Sequence, residues 1–372
     1  MRDLLVTSYT PALGSGHGMR TYAIARALAR HRRLDLLYVR FGGAAPDSAF
    51  RAIDGVEFHA VEAGRGLGRA LTYLSARARG VPADLARGIS REIIQMATLL
   101  SRDPDRGRVI ADGPTIGGAL RRLAARRPVI YNAFNLESGF RHELSRAAAL
   151  RAGRLRAFER EILGRATETW MVSKADMEAA SELCPSASLR YVPNVVDVSA
   201  IAPVELANRP NLLFIGSLFY KPNQNGLRYL LANVMPLVWK RKPDATLTIV
   251  GTGLKRPISG DERVRTLGFV DDLADVYADA RAVVVPLLQG GGTPLKLLEA
   301  LAFGVPVVAT SRAVRGLDVR AGVHCEVADA AEDFAESILR VLSADVTGMV
   351  LRGRQLVSEK YSIEALEQIL AP

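Results

Sequence analysis

Apolar positions along this chain alternate between two patterns. Short, nearly unbroken apolar runs predict strands over 3–8, 34–40, 56–61, 108–112, 128–132 and 169–172 in the first half, and over 212–216, 245–250 and 282–288 in the second. The last of these, centred on AVVVPLL, holds no polar residue, as a parallel strand covered by helices on both faces demands. Between the runs, apolar residues recur three and four positions apart and predict helices over 19–30, 142–163, 222–238, 294–303, 329–342, 349–360 and 363–370. Strand, glycine loop at 14–18, helix and strand make a βαβ opening, and a second opening of the same kind starts at Leu212. The stretch 193–210 interrupts the alternation: it holds Pro193, Pro203 and Pro210, shows little periodicity, and reads as a connection between domains. A chain of 372 residues is long for one core, so the pattern predicts two α/β domains.

The segment 290–310, GGGTPLKLLEALAFGVPVVAT, carries the strongest chemical signal. Gly290, Gly291 and Gly292 let the backbone approach a ligand, and Thr293 followed by Pro294 reads as an N-cap with proline at the first helical position. A helix therefore starts at the carboxyl end of a buried strand, where open α/β sheets bind ligands, and its first N–H groups suit an anion. Lys296 and Glu299 are the polar residues of that otherwise apolar helix, and their spacing puts them on one face. A lysine in a first turn opposes the helix macrodipole, and such a broken local rule points to a bound anion. The competing reading, in which Lys296 snorkels to water and Glu299 pairs with it, stays open.

The loop GSLFYKPN at 216–223 repeats the arrangement after another buried run, with Lys221 able to reach forward. A unit charge pair at about 4 Å and an effective dielectric near 20 interacts by about 4 kcal/mol, against about 0.3–1 kcal/mol for a helix terminus. Lysines at 221 and 296 would thus outweigh a helix terminus in holding an anion; realised only in a transition state, about 4 kcal/mol is nearly a thousandfold in rate. The first glycine loop, GSGHGMRTY, is Gly14-x-Gly16-x-Gly18, whereas the dinucleotide fingerprint needs a glycine where Met19 stands. The second strand also ends at Arg40 rather than at an acid that could hold a ribose, so a nicotinamide site is not expected.

These segments occur in order with YVPNVVD from Tyr191, LLFIGSLFYKPNQNGLRYL from Leu212, ATLTIVGTG from Ala245 and LGFVDDLADVYADARAVVVPL from Leu267. Together they resemble the nucleotide-binding half of the family 4 (group 1) glycosyltransferases of the GT-B fold; the resemblance is strong in the C-terminal half and weaker in the N-terminal half. It implies an α/β protein of GT-B architecture, two Rossmann-like parallel-sheet domains facing a central cleft. Residues 1–195 would bind the acceptor, 196–210 would link the domains, 211–355 would bind the nucleotide sugar, and 356–372 would cross back to the N-terminal domain. The implied activity is a retaining transfer of a sugar from a nucleotide-diphosphate donor to a bacterial glycan, glycolipid or natural product, with no cofactor and no metal. Such transfer is thought to proceed by front-face displacement, the leaving phosphate oxygen taking the acceptor's proton, so positioning and charge would carry the catalysis.

The implied catalytic set is Lys221 and Lys296 on the diphosphate and Glu299 on the ribose hydroxyls. Gly216, Ser217, Gly251, Gly291, Gly292 and Thr293 would line the donor, with Phe269 and Val270 at its base; Gly253 would add close backbone approach. Gly16, His17, Gly18 and Asn135 would face the acceptor side. For Phe269 a place in the core, and for His17 a plain surface turn, stay open; Asp271 and Asp272 read as helix caps. The family pattern breaks twice. Gly291 stands where the Glu-x7-Glu motif has its first glutamate, eight residues before Glu299, and Phe134 stands where a histidine precedes the asparagine in YNAFNLES, leaving Asn135 and Glu137 as polar candidates. These departures motivate an alternative, a catalytically weakened GT-B homologue that binds a nucleotide sugar or a partner protein. A nucleotide-sugar epimerase would need acid–base residues around the sugar that these segments lack.

Charge changes the picture for partners. The net charge of +10 is uneven: residues 1–194 carry 30 Lys plus Arg against 19 acids, and residues 195–372 carry 19 against 20. The first half suits an anionic membrane surface or an acidic acceptor; arginine makes up 29 of its 30 cations, so a solvated, arginine-rich surface is an equal reading. The long helix over 140–165 shows both features, with Leu144, Ala148, Leu155, Phe158 and Ile162 at helical spacing and Arg141, Arg146, Arg151, Arg154, Arg156 and Arg160 around them. Nucleic acid is not an expected partner. Cys184 and Cys325 are too far apart for metal-ligand spacing, and Asp103-Pro104-Asp105 among arginines reads as a surface turn. No run approaches the roughly 18 apolar residues of a spanning helix. The expected location is cytoplasmic, at most peripheral to the inner face of the cell membrane.

Overall fold

Apolar strands must be covered on both faces, and both sets of strands achieve this by pairing in parallel beneath helices. The computed structural model describes residues 1–62, 66–78, 81–118, 120–123, 127–139, 146–253, 258–291 and 293–371. The chain divides into two units, Met1–Asn194 with Ile363–Pro372, and Val195–Ser362.

In the first unit the strands are β1 (Arg2–Thr7), β2 (Arg33–Arg40), β3 (Val56–Glu62), β4 (Arg106–Asp112), β5 (Ile130–Asn132), β6 (Glu168–Met171) and β7 (Leu189–Tyr191). They form one parallel sheet in the order β3-β2-β1-β4-β5-β6-β7. The order reverses between β1 and β4, and the carboxyl ends of those strands are where such sheets open to ligands. The C-terminal helix Ile363–Leu370 belongs to this unit. Its last carbonyls meet polar side chains: Arg108 donates to the Leu370 carbonyl at 2.8 Å, Arg190 to that of Ile369, and the His31 ring lies 3.0 Å from that of Glu367. Positive groups at a helix C-terminus satisfy its unpaired carbonyls and its dipole together.

The glycine loop expected over 14–18 is partly helical. Ser15 is the N-cap of α1 (Gly16–Ala29), its hydroxyl accepting from the Gly18 N–H at 3.1 Å, so Gly16, His17 and Gly18 form the first turn. A Cβ on Gly18 would lie 1.6 Å from the Ala12 carbonyl oxygen, so this position needs glycine for close packing. Two residues on, Arg20 is buried. Its guanidinium donates to Asn132 Oδ1 (2.7 and 3.1 Å), to the Val192 carbonyl (3.0 Å) and to Asn194 Oδ1 (3.1 Å). Asn132 Nδ2 and the Thr21 hydroxyl each donate to Asp112 at 2.7 Å. Burial pushes Asp112 above the usual carboxylate range against these donors, and pulls Arg20 down to about 10 against the charge of Asp112. The network ties α1 to the ends of β4, β5 and β7.

The second unit holds β8 (Asn211–Ile215), β9 (Thr246–Val250), β10 (Val264–Gly268), β11 (Ala282–Val285), β12 (Val307–Ala309) and β13 (Glu326–Val327). Their parallel order is β10-β9-β8-β11-β12-β13, reversing between β8 and β11. The run expected as a strand over 282–288 stops at Val285, because Pro286 has no N–H to give the ladder. The helix expected over 222–238 is broken: α2 (Lys221–Tyr229) gives way to a π turn at Leu230–Val234 before a second helix, Met235–Arg241. Pro236 cannot donate to the preceding turn and its ring crowds that turn's carbonyl, which the wider turn relieves. The stretch expected as a linker packs within this unit: Leu206 lies against its core, Val204 N–H donates to the Phe303 carbonyl at 2.9 Å and Arg354 to that of Ile201 at 3.1 Å.

Replacing Arg20 with alanine should lower the stability of the first unit by about 3 kcal/mol or more, since Asp112 loses its buried counter-charge and Asn132 an essential donor. Urea titration followed by tryptophan fluorescence checks this; a loss below about 1 kcal/mol would show that water replaces the guanidinium.

Candidate functional site

The reversal between β8 and β11 gathers two glycine loops. After β8 the chain passes Gly216 and Ser217 into α2; after β11 it passes Gly290, Gly291 and the buried Thr293 into α3 (Leu295–Phe303). Lys296 of α3 donates from Nζ to Asn223 Oδ1 at 2.8 Å, with Nζ 5.0 Å from the centroid of the Phe214 ring. Asn223, buried at the start of α2, donates from Nδ2 to the Ser217 carbonyl at 2.9 Å. One amide thus holds both the loop and the ammonium. A Cβ at position 216 would come within 2.6 Å of Lys296 Nζ and 2.7 Å of Asn223 Nδ2.

Backbone contacts extend this arrangement toward β10. Gly251 has φ +145° and a Cβ there would lie 2.1 Å from the Gly216 oxygen; Gly253 has φ +115° and would bring one 2.5 Å from the Phe219 nitrogen. Gly251 N–H donates to the Gly268 carbonyl and Leu218 N–H to that of Thr252, both at 2.7 Å. Both glycines are required for conformation and for room.

Lys296 and Glu299 are each half-buried on α3. Burial pulls the Lys296 ammonium down to about 7, opposed by the Glu299 charge, and pushes the Glu299 carboxyl up to about 7, opposed by Lys296. Burial, aided by Glu299, also keeps the Tyr277 hydroxyl well above its ordinary value. The ammonium ends on Asn223, and among the described residues no hydrogen bond or ion pair joins it to Glu299. The site therefore stores an under-solvated cation and an under-solvated acid side by side.

Other expected residues fall around this centre. Pro294, with ψ 108°, is the N-cap of α3 and makes no side-chain cap, so the helix starts one residue later than expected and Thr293 precedes the cap. Gly292 lies outside the described residues. Lys221 is exposed at the first position of α2 and makes no hydrogen bond or ion pair among the described residues. Ser217 is exposed, Val270 half-buried, and Phe269, 67% exposed, is no core aromatic. Asp272, expected as a helix cap, accepts from the Ala274 N–H at 2.9 Å, but the N-cap of the helix Ala274–Ala278 is Leu273. Two residues carry more than the sequence suggested: Asn223, and Arg312, whose Nε donates to the Gly290 carbonyl at 2.9 Å. An asparagine in the first turn of a helix signals no distant partner, and Arg312 follows a different strand.

In the first unit, exposed His17 stacks on buried Phe134, ring centroids 4.6 Å apart at 16°. Gly113 makes room, since a Cβ there would meet the Phe134 ring at 2.4 Å. Asn135 is half-buried and its Oδ1, shielded from water, has no hydrogen-bond partner among the described residues. Beside it the Glu159 carboxylate receives the N–H groups of Glu137 (2.6 Å) and Ser138 (3.1 Å), and burial pushes it up to about 7 against the Ser138 donors.

Residues 209–344 match the family model described as glycosyl transferases group 1. An uncharacterised 44.6 kDa protein of the capsule (cps) region of Klebsiella pneumoniae is 33% identical over 150 residues, which are 37% of this chain and 38% of that protein. The match therefore spans about two fifths of the relative's length. Sucrose-phosphate synthase from Thermosynechococcus elongatus superposes with a TM-score of 0.75 at 18% identity, over 99% of this chain and 96% of the other. HepE of Anabaena, solved with UDP and glucose, gives a TM-score of 0.70 at 16% identity over 99% and 97%. The chain has the GT-B fold.

One group in this GT-B chain has metal-ligand spacing among the described residues, Asp35, Glu57 and His59. Asp35 already pairs with Arg2 (2.9 Å) and Arg106, and Arg2 also reaches Glu57, so a cation would have to displace two guanidiniums. Asp103 accepts from the Asp105 N–H at 3.0 Å, closing the expected turn.

The glycines of the GT-B C-terminal unit should respond differently to a methyl group. Gly251→Ala strains φ and strikes a backbone oxygen, and should cost about 2 kcal/mol or more; Gly216→Ala meets only side-chain ends, Lys296 Nζ and the Asn223 amide, and should cost less. Urea midpoints compare them; equal losses would show that the loops shift together.

Proposed function

We propose that this chain is a retaining glycosyltransferase whose second unit binds a nucleotide-diphosphate sugar and whose first unit receives the acceptor. The observation that carries the proposal is the Lys296 ammonium, held by Asn223 against Gly216 where the second sheet reverses. The group 1 match over 209–344 supports it, as does the likeness in fold to HepE, solved with UDP and glucose.

The donor diphosphate lies against Gly216, Ser217, Gly291, Thr293 and the start of α3, facing Lys296; Gly292 completes the proposed donor set. Lys221 reaches in from its exposed position, and Arg312 places a further positive charge at the Gly290 carbonyl. Glu299 accepts from the ribose hydroxyls, and Gly251, Phe269 and Val270 border the base. The bond from the anomeric carbon to the phosphate oxygen breaks, a bond to the acceptor oxygen forms on the same face, and the acceptor's proton passes to the departing phosphate oxygen. Electrostatic stabilisation of that oxygen is the protein's main contribution, and it requires neither a metal ion nor a cofactor. In the first unit, Gly16, His17, Gly18 and Asn135 would meet the acceptor.

Turnover of a nucleotide sugar by the purified chain, unaffected by EDTA, is the expected result, with Lys296→Ala lowering kcat by about a hundred- to a thousandfold. Tight UDP binding with no turnover of any nucleotide sugar would instead favour the weakened homologue, which the departures at Gly291 and Phe134 motivate.

The pKa values fix the pH dependence. A bound diphosphate raises Lys296 above its free value of about 7, so its contribution is full below that pH and is lost as pH rises. Ribose hydroxyls donating to Glu299 favour its ionised form, so its contribution is present above about 7 and is lost as pH falls. UDP affinity by titration calorimetry should peak near neutrality, and Glu299→Gln should leave only the high-pH loss. A flat profile in wild type would remove both groups from the ligand.

A further inference from the structure

We infer that the first unit docks on an anionic lipid surface through the outer face of the helix Gly66–Ala78. No helix among the described residues is long and apolar enough to cross a membrane. This helix is apolar on two sides. Ala76 is fully buried and Tyr73 packs on the core of the first unit, while Leu71 and Leu74, one turn apart, are 65% and 59% exposed. At 3.6 residues per turn Leu74 stands about 160° from Ala76, on the side away from the core. Ala70 and Ala78 are exposed on the same stripe.

Charge selects the occupant. From Ala63 to Ala83 the sequence carries Arg65, Arg69, Arg77 and Arg79 and no Asp or Glu. Arg69 is exposed, and Arg77 anchors the helix end by donating to the Val81 carbonyl at 2.6 Å. An apolar stripe on a segment whose only charged residues are arginines is what the interface of an anionic bilayer takes. A second copy of the chain would set these arginines against their own kind, which opposes self-association. The long helix Arg146–Arg165 is the weaker candidate: Arg154, Arg156 and Arg160 are exposed, but Leu155, Phe158 and Ile162 are buried in the core, so it offers charge without a face to insert.

Sedimentation of the full chain with vesicles tests this. Binding is expected to vesicles containing phosphatidylglycerol and not to phosphatidylcholine alone, weakening several-fold as salt screens the charge. The double variant Leu71→Asp, Leu74→Asp, which removes only exposed side chains, should lose at least tenfold in affinity while keeping its melting temperature. No binding by wild type, or undiminished binding by the folded variant, would overturn the inference. So would lipid-free, concentration-dependent self-association that the same variant abolishes, because the stripe would then be an interface between copies.

Discussion

A lysine ammonium partly withdrawn from water must be met by an acceptor, and in the second unit that acceptor is a single amide oxygen, Asn223 Oδ1. The surrounding architecture follows from this constraint. The amide's nitrogen is fixed by the Ser217 carbonyl, so the β8 loop cannot move without moving the ammonium. The loop lies close enough only because positions 216 and 251 lack a Cβ, and Gly251 is in turn registered on Gly268 at the end of β10. The consequence is a chain of contacts from the edge strand to α3 in which one half-buried cation is the terminus. The parallel order of the strands supplies the crevice, but the glycines determine how closely its walls approach.

What the sequence made legible are the residues that contradict their surroundings. Lys296 and Glu299 stand out because the rest of their helix is apolar, and the glycine loops stand out because they end buried runs. What stayed hidden are residues whose meaning lies in a distant partner. Asn223 meets Lys296 across 73 positions and Arg20 meets Asn132 across 112, and nothing local marks either. Arg312 likewise acts on the Gly290 loop from beyond the next strand. Short edge strands were illegible for a different reason: β10 reads VRTLG and is exposed along much of its length, and β13 is two residues long, so neither has an apolar run to detect. Helix starts at Gly16 and Leu295 were set by the local backbone of Ser15 and Pro294, within the margin that capping leaves undetermined.

The arginine excess of the first unit illustrates how composition and field diverge. Arg2 and Arg106 neutralise Asp35, Arg108 serves both Asp3 and the C-terminal helix, and Arg20 of α1 is sealed in its network with Asn132. These cations are spent on architecture. The positive charge that reaches solvent is a subset, and its position relative to exposed apolar residues matters more than its total. The helix Gly66–Ala78 combines both features, whereas the helix Arg146–Arg165 buries its apolar side.

In the proposed reaction the departures from the family pattern become consistent with the electrostatics. A nucleoside diphosphate leaving group carries more negative charge on its terminal phosphate than the glycosylated donor does. An ammonium that burial has brought to the edge of deprotonation gains most when that charge appears, so it distinguishes the transition state from the ground state better than a fully solvated lysine would. A second carboxylate at position 291, close to the same phosphates, would offset part of that gain; glycine there leaves only N–H donors. Phe134, stacked by His17, likewise removes a titratable group from the carboxyl end of β5. A front-face transfer needs no protein base, and these substitutions leave the balance of charge to Lys296 and Glu299, whose opposing titrations meet near pH 7.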